Sequence, residues 1–157
     1  MKKIIALLLS VASCQVFSNI DFEIDQIINS NQEPFGVVFE VVEGDKDAWK
    51  WVAPMLEKQT LRLRNKYPEI AIAIVSHGYE QFQLTKSNAK NNQKMTNILT
   101  DLVINQNADL HVCGTHSSWY QVSDDDYIDL VDVSISGPAK INDYKNLDYE
   151  LIVIDNN

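Results

Sequence analysis

The sequence predicts an α/β fold built on a mostly parallel sheet of about five strands. Short runs rich in Val and Ile alternate along the chain with segments in which apolar residues recur at helical spacing, a pattern typical of βαβ units. With 157 residues, of which 45% are hydrophobic and 22% charged, the chain is long and apolar enough to bury one domain-sized core. Its sequence contains no internal repeat and no domain linker.

The N-terminus has the pattern of a secretory signal peptide over residues 1–18. Two lysines precede an apolar stretch at 4–12 that is too short to span a bilayer, and residues 16–18 fit a cleavage site. Residues 11–14 also resemble a bacterial lipobox, in which Cys14 would become the lipidated first residue. We therefore expect an exported, periplasmic protein without a membrane span, and a lipoprotein anchored through Cys14 is the alternative.

A polar N-terminal arm at residues 19–34, either loosely held or a short helix, precedes the predicted domain at 35–157. Within this domain, residues 36–42 are β-branched and almost continuously apolar, which predicts a strand covered on both faces. Asp45 follows as a candidate helix cap. Apolar side chains then recur at helical spacing from Ala48 to Leu63 and predict a helix that ends at Tyr67 and Pro68.

The middle of the chain continues the alternation of helix and strand. Pro54 lies inside the first predicted helix and should kink it or limit its first turn. Residues 70–75 are again continuously apolar and predict a second buried strand, which ends at His77. A stretch rich in Asn and Lys at 86–94 predicts a surface loop, and one apolar face over 95–103 predicts an amphipathic helix.

The acidic run at 124–126 suits the start of a helix, because negative side chains are favoured at the positive end of the helix dipole. Gly137 and Pro138 mark the start of another helix, where proline is well tolerated. Three further strands are predicted from apolar runs or, for the middle one, from the polar–apolar alternation of an edge strand. They cover residues 108–113, 129–136 and 149–154.

The overall charge restricts the kinds of partner. The chain carries a net charge of −9 and has no basic cluster. A surface this acidic repels nucleic acid and anionic lipid, so neither is expected as a partner. Walker A, GxGxxG, GxSxG and CxxC motifs are all absent from the sequence, and no cofactor is predicted. The expected partner is a protein or a small molecule.

The segment His-Val-Cys-Gly-Thr-His at residues 111–116 carries the candidate chemistry. Cys113 ends the third predicted strand, and the Gly-Thr pair after it can turn the chain into a helix, whose N-terminus favours a thiolate. Ligands of open parallel sheets bind beyond the carboxyl ends of the strands, where His77 and Glu43 are also expected. We predict Cys113 as a nucleophilic thiolate, with His116 and His77 keeping it deprotonated or orienting the incoming group.

Two other interpretations of this segment stay open. A free cysteine is among the most commonly buried side chains, so Cys113 can also be an inert residue of a structural or adaptor subunit. Alternatively, the segment belongs to a binding module for a metal or a small ligand, and its ligand types suit zinc or copper. The metal ligands would then be His77, His111, Cys113 and His116.

Several segments also match the motifs of a known family. The most specific is Val-Cys-Gly-Thr-His at 112–116, which follows Val-Ser-His-Gly-Tyr-Glu-Gln-Phe at 75–82. The others are Gly-Asp at 44–45, Trp-Lys-Trp at 49–51, Trp119, and Gly-Pro-Ala-Lys-Ile-Asn-Asp-Tyr at 137–144. Over about residues 35–154, the chain resembles the exported branch of the DsrE/DsrF-like family.

This resemblance implies a three-layer α/β/α fold and assembly into a homo-oligomer. It also implies that sulfur is carried as a persulfide on a cysteine at the corresponding strand end, a role that carries over to Cys113 alone. The expected function is therefore sulfur handling or transfer in the periplasm. A sulfur donor or acceptor protein, or a small sulfur compound, would be the partner.

Overall fold

The structure is a computed structural model that describes the backbone of residues 12–155 and the side chains of residues 19–155. Most of the predicted signal peptide and the side chain of Cys14 lie outside these described residues. Five parallel strands form one sheet in the order β4-β3-β2-β1-β5. They are β1 (Gly36–Val41), β2 (Ala71–Ser76), β3 (Asp109–Cys113), β4 (Asp132–Ser134) and β5 (Tyr149–Ile154).

Helices connect these strands over most of the described chain. The α-helices are α1 (Ala12–Asn29), α2 (Trp49–Lys66), α3 (Lys86–Ala89), α4 (Gln93–Thr100), α5 (Gly114–Trp119) and α6 (Gly137–Asn146). A π-helical turn, Asp101–Asn105, extends α4, and short 3-10 segments lie at Tyr79–Leu84 and Asp124–Asp126. Among the described residues, no helix combines the length and the apolar character needed to cross a membrane.

Two apolar clusters lie on opposite faces of the sheet, because successive strand residues point to opposite faces. The larger cluster packs α1, α2 and α4 against strand side chains such as Phe39, Ile74 and Val112. The smaller cluster packs α6 against Val38 and Val75. Helices therefore cover both faces, and the predicted three-layer α/β fold is confirmed.

The order of the strands determines which loops meet. Successive connections step from β1 to β2, β3 and β4, so that β2 lies between β1 and β3. Helix α6 then returns the chain across the sheet to β5, which pairs with β1. The predicted edge strand at 129–136 lies at the edge as expected, but it pairs with β3 only over the three residues of β4.

Residues 19–29 form the second half of α1 and are firmly packed. Helix α1 lies against α2 and β5, and its Ile20 and Ile24, one helical turn apart, are buried in the larger cluster. The Tyr67 hydroxyl donates to Ile27 O at 3.3 Å and to Ser30 O at 3.2 Å, which ties down the end of the helix. This part of the predicted arm is therefore an integral helix and not a loose segment.

Two local features differ from the sequence-based expectation. The predicted loop at 86–94 contains α3 and the start of α4, because the Asn92 side chain caps α4 by accepting a first-turn backbone N–H at 3.2 Å. Asp45 does not cap α2; its carboxylate instead accepts the Asp47 N–H at 2.9 Å in the preceding turn. Helix α2 passes through Pro54 and continues to its end at Lys66.

Candidate functional site

The carboxyl ends of β1, β2 and β3 meet at one edge of the sheet, since these three parallel strands are neighbours. Backbone hydrogen bonds join their loops there. The His77 N–H donates to Val41 O at 3.0 Å, and the Tyr79 N–H donates to Glu43 O at 2.8 Å. Glu43, His77 and Cys113 therefore follow or end neighbouring strands at the edge where ligands of parallel sheets bind.

Cys113 is both the last residue of β3 and the residue that caps α5. Its side chain is only 5% exposed, and its Sγ accepts the His116 N–H at 3.4 Å. A donated N–H is a suitable contact for a thiolate or a persulfide anion, because hydrogen bonds to ionised acceptors are the stronger ones. The sulfur is thus buried, but it has a polar neighbour.

The backbone of Cys113 is held by buried polar side chains. Gln81 is fully buried; its Oε1 accepts the Cys113 N–H at 3.0 Å, and its Nε2 lies 3.4 Å from Cys113 O and 3.3 Å from Ser117 Oγ. Ser117 Oγ also donates to Cys113 O at 2.9 Å, so the Tyr127 hydroxyl, 2.7 Å away, donates to Ser117. Burial raises the pKa of Tyr127, which keeps that hydroxyl protonated.

His116 has a defined tautomer. Its Nδ1 lies 2.9 Å from His77 O, and because a carbonyl only accepts, Nδ1 carries a proton. In the neutral ring, Nε2 is therefore the basic nitrogen. Phe82, Trp119 and Tyr120 contact the imidazole edge-on, with ring centroids 5.2 to 5.5 Å away, and they restrain its orientation.

His77 is oriented by the strand and the helix on either side of it. Its Nε2 lies 2.8 Å from Glu40 Oε1 in β1, so Nε2 donates to the carboxylate and Nδ1 is the basic nitrogen of the neutral ring. Gly137, at the start of α6, packs against the imidazole. A Cβ at Gly137 would lie 2.6 Å from the Cβ of His77, so this close approach requires glycine.

Glu80 is a fully buried carboxylate that binds the loops at the same edge. It accepts hydrogen bonds from Ser76 Oγ at 2.7 Å, from the Glu43 N–H at 2.8 Å and from the Gly78 N–H at 3.1 Å. Burial raises its pKa, although these donated hydrogen bonds act in the opposite direction. Glu80 thereby anchors the 3-10 segment that carries Gln81 to the ends of β1 and β2.

His111 makes its contacts on the face of β3 that α6 covers. Its Nε2 lies 2.8 Å from the Tyr144 hydroxyl, which donates to Asp109 Oδ2 at 3.0 Å, so Nε2 is the donor to Tyr144. Its Nδ1 lies 3.1 Å from Asp132 Oδ2 without forming a hydrogen bond. Burial, followed by the charge of Lys140, lowers the pKa of His111.

The four ligands of the alternative metal site, all of them described, are not brought together. His111 contacts Tyr144 of α6, whereas His77 contacts Glu40 of β1. Within the described part of the chain, no group of three or more His, Cys, Asp or Glu side chains could hold a metal ion. A metal centre built from His77, His111, Cys113 and His116 is therefore not supported.

Comparison with known proteins supports the fold alone. No family model and no curated protein matches the sequence. Among solved structures, the chain is similar to the protein of unknown function MTH1491 from Methanobacterium thermoautotrophicum, with a TM-score of 0.60. The match covers 76% of this chain and 98% of that chain at 19% sequence identity, a level at which only the architecture is informative.

Several residues of this edge were not predicted from the sequence. One of them had a signal, since Glu40 is a charged residue inside the otherwise apolar strand β1. Glu80 and Gln81 belong to the motif at 75–82 on which the resemblance rests, but nothing in it indicated their burial, because a polar pair in a turn is ordinarily solvated and these two are buried only by tertiary packing. Ser117 and Tyr127 likewise acquire their roles only through contacts made in the folded chain.

Proposed function

We propose that this chain is an exported, DsrE-like protein that handles or transfers sulfur through Cys113 as a persulfide carrier. The observation that carries the proposal is the hydrogen bond from the His116 N–H to Cys113 Sγ at the carboxyl edge of a parallel sheet. This position combines a buried sulfur, which is protected from bulk oxidants, with a donor suited to sulfur in its anionic form. The motif resemblance at residues 112–116 supports the same assignment.

The proposed reaction is a sulfur transfer without net oxidation. The Cys113 thiolate attacks the outer sulfur of a donor persulfide, the S–S bond of the donor breaks, and the donor leaves as a thiolate that takes up a proton. A new S–S bond then holds the sulfur on Cys113. His116, through the basic Nε2 of its neutral ring, would accept the thiol proton, and His77 would orient the incoming group.

Intact mass spectrometry tests this proposal directly. After incubation with a low-molecular-weight persulfide and removal of the excess, the full chain should gain the mass of one sulfur atom, and reductant should remove it. Cys113→Ser should gain none. Cys14→Ser is the matched control and should behave like the wild type, because the chain contains two cysteines in all.

The same measurement on protein isolated from its own host also tests export. The mature chain should begin at Asn19, or at a lipidated Cys14 under the alternative. A wild-type chain that gains no sulfur, or a Cys113→Ser chain that still gains it, would show that Cys113 is not the carrier. A chain isolated with residues 1–18 intact and unmodified would contradict export.

A second candidate function, that of a non-catalytic oligomeric adaptor, is favoured by one surface observation. Trp119 is 73% exposed and Ile135 is 90% exposed, and Tyr79 and Tyr120 are also exposed. We call these four residues the aromatic surface; the rings of Tyr79 and Tyr120 contact each other, with centroids 5.6 Å apart. Exposed Trp and Tyr side chains held in fixed positions are typical of interface centres, and a second copy of this chain is the expected occupant.

Sedimentation analysis tests whether the chain assembles into an oligomer through the aromatic surface. The wild type should be a homo-oligomer, and Trp119→Ala combined with Tyr120→Ala should be monomeric. Phe35→Ala, which removes an exposed aromatic ring from the opposite end of β1, is the control and should stay oligomeric. A monomeric wild type, or an oligomer that survives the double substitution, would exclude the aromatic surface as the interface.

A further inference from the structure

We infer that Gln81 is the positioning residue of the Cys113 site: its carboxamide replaces a strand partner of Cys113 and keeps Sγ on the His116 N–H. Because the inferred purpose is to present a reactive sulfur, this role rests on the proposed function. The hydrogen bonds between Gln81 and Cys113 are nevertheless present whether or not Cys113 transfers sulfur. Gln81 contacts the peptide of Cys113 and not the sulfur itself.

The ladder between β2 and β3 stops one residue short of Cys113, the last residue of β3. Their last paired residues are Ser76 and Val112, and the Cys113 N–H donates to Gln81 Oε1. In a parallel ladder, the N–H and C=O of one residue point to the same neighbouring strand. Cys113 therefore faces a position from which β2 has already departed.

The carboxamide of Gln81 fills this position. Its Oε1 accepts the Cys113 N–H at 3.0 Å, and its Nε2 is placed to donate to Cys113 O at 3.4 Å. A primary amide, like a peptide, has an N–H donor and a C=O acceptor on separate atoms. A hydroxyl has its donor and acceptor on one atom, and an ionised carboxylate has no donor. Because Gln81 is fully buried and Cys113 nearly so, water has little access to replace these bonds.

The orientation of the Cys113 peptide determines where its sulfur lies. Cys113 has extended backbone angles, φ −87° and ψ 108°, and in this conformation its side chain accepts the N–H of His116 in the first turn of α5. A rotation of the Cys113 peptide would displace Sγ from that donor. Gln81 is itself immobilised, since the adjacent Glu80 is hydrogen-bonded to the loops after β1 and β2.

The test compares two equivalent substitutions in the same 3-10 segment. Gln81→Met preserves the length of the side chain and removes both hydrogen bonds to Cys113, whereas Gln83→Met alters a half-buried glutamine two residues away. The rate of Cys113 alkylation by iodoacetamide is measured against pH in Cys14→Ser backgrounds. We expect Gln81→Met to move the profile to higher pH, with a rate at pH 7 lower by about tenfold, and Gln83→Met to leave it unchanged.

A role in packing alone would change the melting temperature and the limiting rate at high pH without moving the profile along the pH axis. Identical profiles for both variants and the parent would therefore overturn the inference. Amide exchange in the wild-type protein provides a readout that does not depend on a variant folding. The side-chain amide of Gln81 and the N–H of Cys113 should both be protected, unlike the side-chain amide of Gln83; rapid exchange at Gln81 would also overturn it.

This experiment separates the inference from the proposed function. A shifted profile in Gln81→Met, together with a wild type that takes up no sulfur, would retain Gln81 as the positioning residue and reject the persulfide carrier. If the wild type takes up sulfur and the pH profile of Gln81→Met is not shifted, Cys113 remains the proposed persulfide carrier and Gln81 is not its positioning residue.

Discussion

Side chains at the carboxyl edge of the sheet form hydrogen bonds mainly with backbone groups. Gln81 binds the peptide of Cys113, Glu80 accepts two backbone N–H groups, and His116 donates to a backbone carbonyl. All of these contacts except that of Glu80 with Gly78 join segments that are distant in sequence, and each supplies a hydrogen bond that regular secondary structure leaves unmade at the strand ends. Substitution of any one of them would therefore displace backbone as well as remove a side chain.

Glu80→Gln is expected to lower the free energy of unfolding at pH 7 by about 1–3 kcal/mol. Both carboxylate oxygens of Glu80 accept hydrogen bonds, and an amide would direct its NH₂ group at one of the three donors. Urea denaturation measures the change, with Glu150→Gln on the exposed side of β5 as a control that should change stability little. Equal stability of Glu80→Gln and the wild type would show that the three hydrogen bonds contribute nothing net.

At the scale of elements, helix α1 decides between the two alternatives for the N-terminal arm. The polar sequence of residues 19–34 predicts either a loosely held arm or a short helix. The apolar residues nevertheless recur one helical turn apart, and they are buried against α2 and β5. Asp21 adds a polar contact, since its carboxylate accepts from Lys58 Nζ and from Gln59 Nε2, and these donors lower its pKa.

Ile24→Ala should reduce the free energy of unfolding by about 2–5 kcal/mol, because it leaves a cavity in the larger cluster. Phe22→Ala lies on the same helix, where Phe22 is 59% exposed, and should change stability by less than about 0.5 kcal/mol. Chemical denaturation of both variants provides the comparison. If Ile24→Ala were as stable as Phe22→Ala, α1 would not be part of the cooperative unit.

The strands were predictable because buried parallel strands read as continuous apolar runs. The run at 149–154 coincides with β5, and the run at 36–42 exceeds β1 by one residue. The length of the edge strand was overestimated, because the alternation of polar and apolar residues extends beyond the three positions at which β4 pairs with β3. The helical turn of α3 was missed because its sequence, Lys-Ser-Asn-Ala, has no apolar face.

For the whole molecule, sequence patterns predicted the parallel sheet and the edge that bears Cys113, and the family resemblance implied the three layers, but neither predicted the contacts between side chains. Neighbouring strand ends follow from the rule for parallel sheets, so His77 and Cys113 were placed at one edge. The buried roles of Glu80 and Gln81 were not predictable, since they depend on a 3-10 segment folding back over the strand ends. The strand order likewise depends on long-range packing.

The stability of the whole molecule should decrease in mild acid through His111. Its pKa is lowered in the folded state, so the unfolded chain binds the proton more readily once the pH falls below the ordinary value of 6.5. Stability is therefore retained above pH 6.5 and lost as the pH falls through the lowered pKa. Burial and Lys140 oppose protonation, whereas Asp132 and Asp109 favour it.

His111→Gln retains a donor toward Tyr144 and should flatten the loss of stability between about pH 6.5 and 5. Asp132→Asn removes a carboxylate that favours the protonated ring, and it should steepen the same loss. Urea denaturation across this pH range measures both slopes. Parallel pH profiles for His111→Gln and the wild type would show that His111 does not contribute to acid sensitivity.

The position of β5 has a consequence for the order in which the chain can fold. The last strand pairs along its whole length with the first, and it also packs against α1. During synthesis, β1 therefore lacks this neighbour until residues 149–154 have been made. Because the paired residues, such as Gly36 and Tyr149, are far apart in sequence, a large chain-closure entropy must be overcome before this pair can form, which slows folding.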